Sequence, residues 1–380
     1  MSYLDFNAGA PLLPLVAAHL GRAFSETAGN PSSVHRVGRA ARKRLDAARE
    51  AIASAFGASS PREIVFTGSG SEAAALAIIG AFVARRRPER TALVTSTIEH
   101  PCVIGAARRV EQLGGRVVWI APDARGVVPA QAMIDALTDE VALCSLMWVN
   151  NETGVVQPVE AVSRACVERG VVFHTDAVQA VGKVPATLRE APADLLSFSA
   201  HKLGGPAGVG VLISRRQVDV AALVPGHQEN GRRGGTQSVA MAEGAVLALQ
   251  AALEARDVET ARLAGLRDEL ERRLLAALPG TRVTGGAAPR VANTSSLCFP
   301  GADGEGLLVA LDLEGICVST GAACASGSLT PSHVLTSMGL SPADAQASLR
   351  LSLGSTTTRD DIDAVIGALS RLVPQSRFTS

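Results

Sequence analysis

Seven short segments of this chain are apolar almost without interruption: "EIVFT", "TALVTS", "RVVWIA", "VALCSLMWV", "VVFHTD", "LLSFS" and "GVGVLIS", all between residues 63 and 214. A strand with one face in water alternates apolar and polar residues, whereas a continuous run reads as a strand covered on both faces, as in mainly parallel sheets sandwiched between helices. The stretches between the runs are helical in pattern, so the order is alternating α/β. Only a short Gly/Pro connection separates the last two runs, which are expected to pair antiparallel. Beyond Gly235 the pattern changes to one long helix, "SVAMAEGAVLALQAALEARDVETARLAGLRDELERRLLAAL", bridging to a smaller α+β unit that contains "TSSLCF", "ICVST" and a final helix near 360–372. The expected division is a large unit over 15–255 and a small one built from 1–14 and 256–380.

Composition narrows the class of function. With 380 residues, 47% hydrophobic and 19% charged, the chain can bury one or two large cores, which excludes a disordered or fibrous protein. Lys plus Arg and Asp plus Glu both number 36, and no basic stripe stands out, so a nucleic-acid partner is not expected. The purest apolar stretch, 141–149, is far below membrane-spanning length and the first residues lack a basic-then-apolar leader, so the expectation is a cytoplasmic protein without membrane contact. Six cysteines form no CxxC pair and are read as free thiols, with no metal site.

In an open α/β sheet, ligands bind beyond the carboxyl ends of the strands. "EIVFT" is followed by Gly68-Ser69-Gly70-Ser71 and an alanine-rich helix, which aims backbone N–H groups and a helix dipole at one spot, a natural phosphate cradle. "TALVTS" leads to Glu99 and His100, "LMWV" to Asn150 and Asn151, "VVFHTD" to Asp176 and Gln179, and "LLSFS" to His201 and Lys202. Each alone reads equally well as structural. Jointly they supply what pyridoxal 5'-phosphate needs: a lysine for a Schiff base (Lys202), an acid beside the pyridine nitrogen (Asp176), a phosphate cradle and a flat group against the ring (His100).

At these residues the chain resembles the cysteine desulfurases of the NifS and IscS kind, in the class V aminotransferase family with fold type I. The motifs run nearly end to end: "YLDFNAGAP", "GNPSSVHRVG", "EIVFTGSGSEA", "EHPCVI", "VNNETGVVQP", "HTDAVQAVGKVP", "SFSAHKLGGPAGVG", "ENGRRGGT", "STGAACASGS" and "SLRLSLG". The resemblance implies a large domain with a mainly parallel seven-stranded sheet plus a smaller α+β domain. Lys202 matches the cofactor-bearing lysine, His100 the histidine stacked on the ring and implicated in proton transfer, and Asp176 the pyridinium partner. Asn151 and Gln179 match residues near the ring and its phenolic oxygen, and Gly70, Ser71, Ser199 and His201 the phosphate cup. Thr236 matches a threonine that completes the partner subunit's cup, which implies a homodimer with shared sites. Arg350 matches the arginine that grips the substrate carboxylate. Cys324 matches the nucleophile, on a loop of the longer NifS/IscS length.

The implied reaction turns L-cysteine into L-alanine: Lys202 removes the Cα proton, the Cys324 thiolate attacks the substrate sulfur, and the resulting persulfide passes to an acceptor such as an iron–sulfur scaffold protein. This chain departs from the family where Gly68-Ser69-Gly70-Ser71 replaces SGAT and where Ala207 stands in place of a usual lysine. It stops at Ser380, short of the IscS-type tail, which leaves the acceptor open. The alternatives on the same fold are a selenocysteine lyase or a small-amino-acid aminotransferase, neither of which needs Cys324. Outside that class, an idle nucleotide-binding module would use only the glycine turn.

Overall fold

Strands β1 (Ile64–Thr67), β2 (Ala92–Ser96), β3 (Arg116–Ile120), β4 (Val141–Ser145), β5 (Val172–Asp176), β6 (Leu195–Ser199) and β7 (Gly210–Ser214) fall on the seven apolar runs. The computed structural model describes residues 1–26, 29–85, 89–215, 217–320 and 330–377. The strands form one sheet in the order β1-β7-β6-β5-β4-β2-β3, in which only β7 runs against its neighbours. The expected β6/β7 pair is antiparallel in register, from Leu195 opposite Ser214 to Ser199 opposite Gly210.

Side chains of a strand alternate between faces, and here each face meets its own core. Along β7, Val211 and Ile213 join the core that contains Leu45, Ile52 and Phe56 of helix Arg36–Phe56, while Leu212 joins the one that contains Phe82 and Val110 on the opposite side. The runs are continuous because both faces must be apolar. Only the edge strand β3 keeps partly exposed residues.

A third core surrounds a four-stranded antiparallel sheet made by Ser319–Thr320, Ser348–Ser352, Thr294–Cys298 and Arg282–Val283. Helix Val239–Ala277 spans both regions: Val239, Ala242 and Leu249 pack in the first core, and Leu263, Leu270 and Leu274 in the third. "ICVST" splits where one strand was expected, because Ile316–Cys317 pairs with Ser2–Tyr3 and Ser319–Thr320 with Ser348–Ser352. The final helix covers Arg359–Ser376, opened by a Thr358/Asp361 capping box.

Two contacts fix the 228–237 segment against β1 and the glycine turn against β7. Arg49 forms a two-pronged ion pair with Glu229 (2.7 and 2.5 Å), both residues are buried, and Glu229 also accepts from the Phe66 N–H. Removing one partner would strand a buried charge, which is why the pair specifies this docking. At the other contact, a Cβ on Gly210 would stand 2.2 Å from the Ser69 carbonyl and 2.6 Å from the Gly70 nitrogen. Only glycine lets β7 pass beneath that turn. Gly210→Ala should therefore cost about 1–3 kcal/mol of stability through overpacking, read as a lower urea midpoint by fluorescence of the buried Trp148.

Candidate active site

Because β1 to β6 run in the same direction, their carboxyl ends open along one edge of the sheet. Ser69, Gly70 and Ser71 after β1, His100 after β2, Asn151 beyond β4, Asp176 and Gln179 at β5, and Ser199, His201 and Lys202 at β6 line one cavity of about 230 Å³, joined by Arg350 from the antiparallel sheet. Ten of the sequence-predicted residues thus share one space with that arginine. Asn150 does not: its side chain accepts from the Glu152 and Thr153 N–H groups and donates to the Ile98 carbonyl, building the turn that presents Asn151.

Helix starts place several of these groups. Ser69 caps helix Gly70–Ala75 by accepting from the Glu72 N–H, so the helix N-terminus faces the cavity. His100 caps Pro101–Gln112: its Nδ1 accepts from the Cys102 N–H at 3.2 Å and lies 3.0 Å from Cys102 Sγ. Burial, with Lys202 and His333 nearby, pushes the imidazole down to about 4, so the ring is neutral and carries its proton on Nε2. Burial also lowers His201 to about 4, while its Nδ1 sits 2.7 Å from Ser199 Oγ.

Burial pushes Asp176 up to about 6, against the lowering effects of the Val178 N–H bond and the Lys202 ammonium, so it is mostly ionised at neutral pH. Lys202 donates to the Asn7 and Ala8 carbonyls, both at 2.7 Å. Arg350 is held by Asp5 at 2.7 Å and by the Asn151 carbonyl at 3.1 Å, and its buried Nε has no hydrogen-bond partner among the described residues. That orphan donor belongs to a side chain lining the cavity, where an incoming carboxylate would satisfy it.

Several participants escaped the strand-end reading. Asn7 accepts from Lys202 and Gln179 through its carbonyl and from Lys183 and Asn293 through its side chain, and it donates to Asn151 and Thr294. It joins the two sheets at the site. Its signal in the sequence was only its place within "YLDFNAGAP". Cys102 also lines the cavity, but burial and the neighbouring Asp176 raise its thiol to about 12, so it is neutral and a poor nucleophile.

Thr236 is exposed and is not part of the lining of its own chain's cavity, while Cys324 lies outside the described residues. A larger recess of about 460 Å³ faces residues 227–230, but its buried charges, Arg49 and Glu229, satisfy each other. Among the described residues no group of three or more His, Cys, Asp or Glu is placed to hold a metal ion, and no helix is long and apolar enough to cross a membrane.

Comparison with known proteins agrees over the whole length. The family model described as "Aminotransferase class-V" matches residues 2–365. An "IscS-like cysteine desulfurase" of Mycobacterium tuberculosis (strain ATCC 25618 / H37Rv) is 42% identical, covering 99% of this chain and 97% of that protein. A "Cysteine desulfurase" of Cereibacter sphaeroides is 43% identical over 100% of this chain and 97% of its own. A solved "NifS-like protein" superposes with a TM-score of 0.90 at 32% identity, covering 98% of this chain and 99% of that one.

Glu99, fully buried beneath the site, accepts from Ser96 Oγ and the Met147 N–H through Oε1, while Oε2 has no hydrogen-bond partner among the described residues. Burial raises its carboxyl from 4.5 to about 8. A group raised on folding contributes stability that is complete below its unfolded value and is lost as pH climbs through the folded one. Glu99→Gln keeps the acceptor but cannot ionise. Its melting temperature relative to wild type should climb between about pH 5 and about 8; a pH-independent difference would show that Glu99 does not titrate there.

Proposed function

The chain belongs to the class-V aminotransferase family, and from that premise we propose how its residues divide the work of a cysteine desulfurase. It is a pyridoxal-phosphate-dependent enzyme that converts L-cysteine to L-alanine and retains the sulfur as an enzyme persulfide. We take 15–255 as the unit that holds the cofactor, and 1–14 with 256–380 as the unit that brings Arg350 and Cys324.

The residues fit the cofactor. An amine and a buried carboxylate line one cavity, and a Cβ on Gly70 would crowd Ser199 Cβ at 3.0 Å and Val178 at 3.2 Å, so a glycine keeps the cup open. Lys202 would carry the cofactor and Asp176 would face its ring nitrogen, with His100 against the ring. Asn151 and Gln179 would meet the ring and its phenolic oxygen, and Gly70, Ser71, Ser199 and His201 would hold the phosphate at a helix N-terminus. When bound, pyridoxal phosphate supplies an electron sink for charge released at the substrate Cα.

This chain's own residues do the rest. Arg350, pinned on two nitrogens by Asp5 and Asn151, offers its remaining donors to the substrate carboxylate. Lys202 Nζ takes the Cα proton, its amine steered by the Asn7 and Ala8 carbonyls. His100, with its proton on Nε2, acts as a hydrogen-bond donor there. The Cys324 thiolate attacks the substrate sulfur, the Cβ–S bond breaks with its electron pair passing to the carbon skeleton, and alanine leaves after protonation. The persulfide then passes to an acceptor protein, for which an iron–sulfur scaffold is our reading. Thr236, exposed and away from its own cavity, is assigned to the partner subunit's phosphate cup in a homodimer.

The observation that most supports this division is that Lys202, Asp176 and Arg350 line one small cavity. Cys324→Ala should bind pyridoxal phosphate, keep the absorption band near ~420 nm and lose cysteine-dependent alanine release by about a hundredfold or more, without protein persulfide. Undiminished alanine release by that variant, measured by amino-acid analysis, would remove Cys324 from the chemistry and favour a lyase or aminotransferase.

A further inference from the structure

Lys183 sits four residues after Gln179 in the chain, half-buried with its amine turned inward. It donates to Gln179 Oε1 at 2.6 Å and to Asn7 Oδ1 at 2.9 Å. No carboxylate pairs with it among the described residues. The charged groups that act on it are themselves basic, Lys202 and Arg350, whose own anionic neighbours are Asp176 and Asp5. From the long helix, Thr260 Oγ1 donates to the Lys183 backbone carbonyl at 3.5 Å. A desolvated amine without a counter-ion is costly to keep. Burial and those two cations lower Lys183 to about 7.

Its two hydrogen bonds show what it achieves. An amine directed at two side-chain amides is a donor to both, so each amide must turn its oxygen toward Lys183 and its NH₂ group away. The Gln179 NH₂ then donates to the Asn7 carbonyl at 3.0 Å, the same oxygen that accepts from Lys202 at 2.7 Å. The Asn7 NH₂ is left to donate to Asn151 and Thr294. Both Gln179 and Asn7 line the cavity. With an apolar side chain at 183, Gln179 Oε1 would lose this donor, whereas Asn7 would still be oriented by the Asn293 NH₂ on its Oδ1 at 3.1 Å and by the Asn151 carbonyl, which can only accept.

We propose that Lys183 is a positioning residue that holds the Gln179 amide with its oxygen toward the lysine, so that Gln179 presents its NH₂ as a donor to the reacting groups. The role rests on the cofactor reading above, in which Gln179 meets the phenolic oxygen. A donor there, and positive charge nearby, both favour the deprotonated form of the lysine-bound cofactor.

The test is a spectroscopic pH titration of the holoenzyme's absorption band near ~420 nm. Lys183→Met removes donor and charge and should raise the midpoint by about one pH unit. Lys183→Gln still offers an NH₂ group and should stay within about half a unit of wild type. A folded methionine variant with the wild-type midpoint would overturn the proposal. So would a glutamine variant displaced by the full unit, an outcome that can be read even if the methionine variant fails to fold. Wild-type protein that shows no band with added pyridoxal phosphate would instead overturn the cofactor reading and this role with it.

Discussion

Three basic side chains, Lys202, Lys183 and Arg350, meet at the carboxyl edge of a sheet that is buried on both faces, and the site is organised around satisfying them. Two carboxylates, Asp5 and Asp176, stand close by, and amide oxygens of Asn7, Ala8, Asn151 and Gln179 accept hydrogen bonds from the cations. Amide oxygens solvate a cation without neutralising it. The corner therefore keeps a positive potential suited to a phosphate and a carboxylate, the two anions that this enzyme's cofactor and substrate bring.

The same desolvation explains why the nearby ionisable groups lean toward neutrality. His100 and His201 shed their protons, Glu99 and Glu152 hold theirs to about 8 and about 7, and Cys102 stays a thiol. Asp176 is the exception that matters, since it remains mostly charged at neutral pH because a backbone N–H and Lys202 oppose the burial. A site whose neutral groups surround the Asp176 carboxylate and its basic neighbours can direct electron flow to a chosen ring atom.

Rigid elements hold this arrangement. Gly210 lets β7 run beneath the glycine turn, and the Arg49–Glu229 pair clamps the segment leading toward Thr236 against β1. The N-terminal segment crosses between the sheets, with Asn7 bonded to groups on both. Arg350 belongs to a strand of the smaller sheet yet binds the Asn151 carbonyl beyond β4. Arg350 and Lys202 thus reach one cavity from two cores joined through short polar contacts.

Apolar periodicity by itself determined the seven strands and the antiparallel turn-back at β7, since a strand buried on both faces is built mostly of apolar residues. Strand-end polarity likewise exposed Lys202, Asp176, His100, Asn151 and Gln179, because polar side chains in such a sheet concentrate where it opens. The family motifs added Arg350, Thr236 and Cys324, which no local pattern marks. Only the tertiary structure decided that Asn7, Asp5 and Lys183 belong to the site, that Asn150 serves the turn while Asn151 faces the cavity, and that "ICVST" divides between two sheets. The physical reason is that a hydrogen bond between Asn7 and Asn293 links positions 286 residues apart, and the field on a buried amine depends on which charges the fold brings near it, neither of which local spacing encodes.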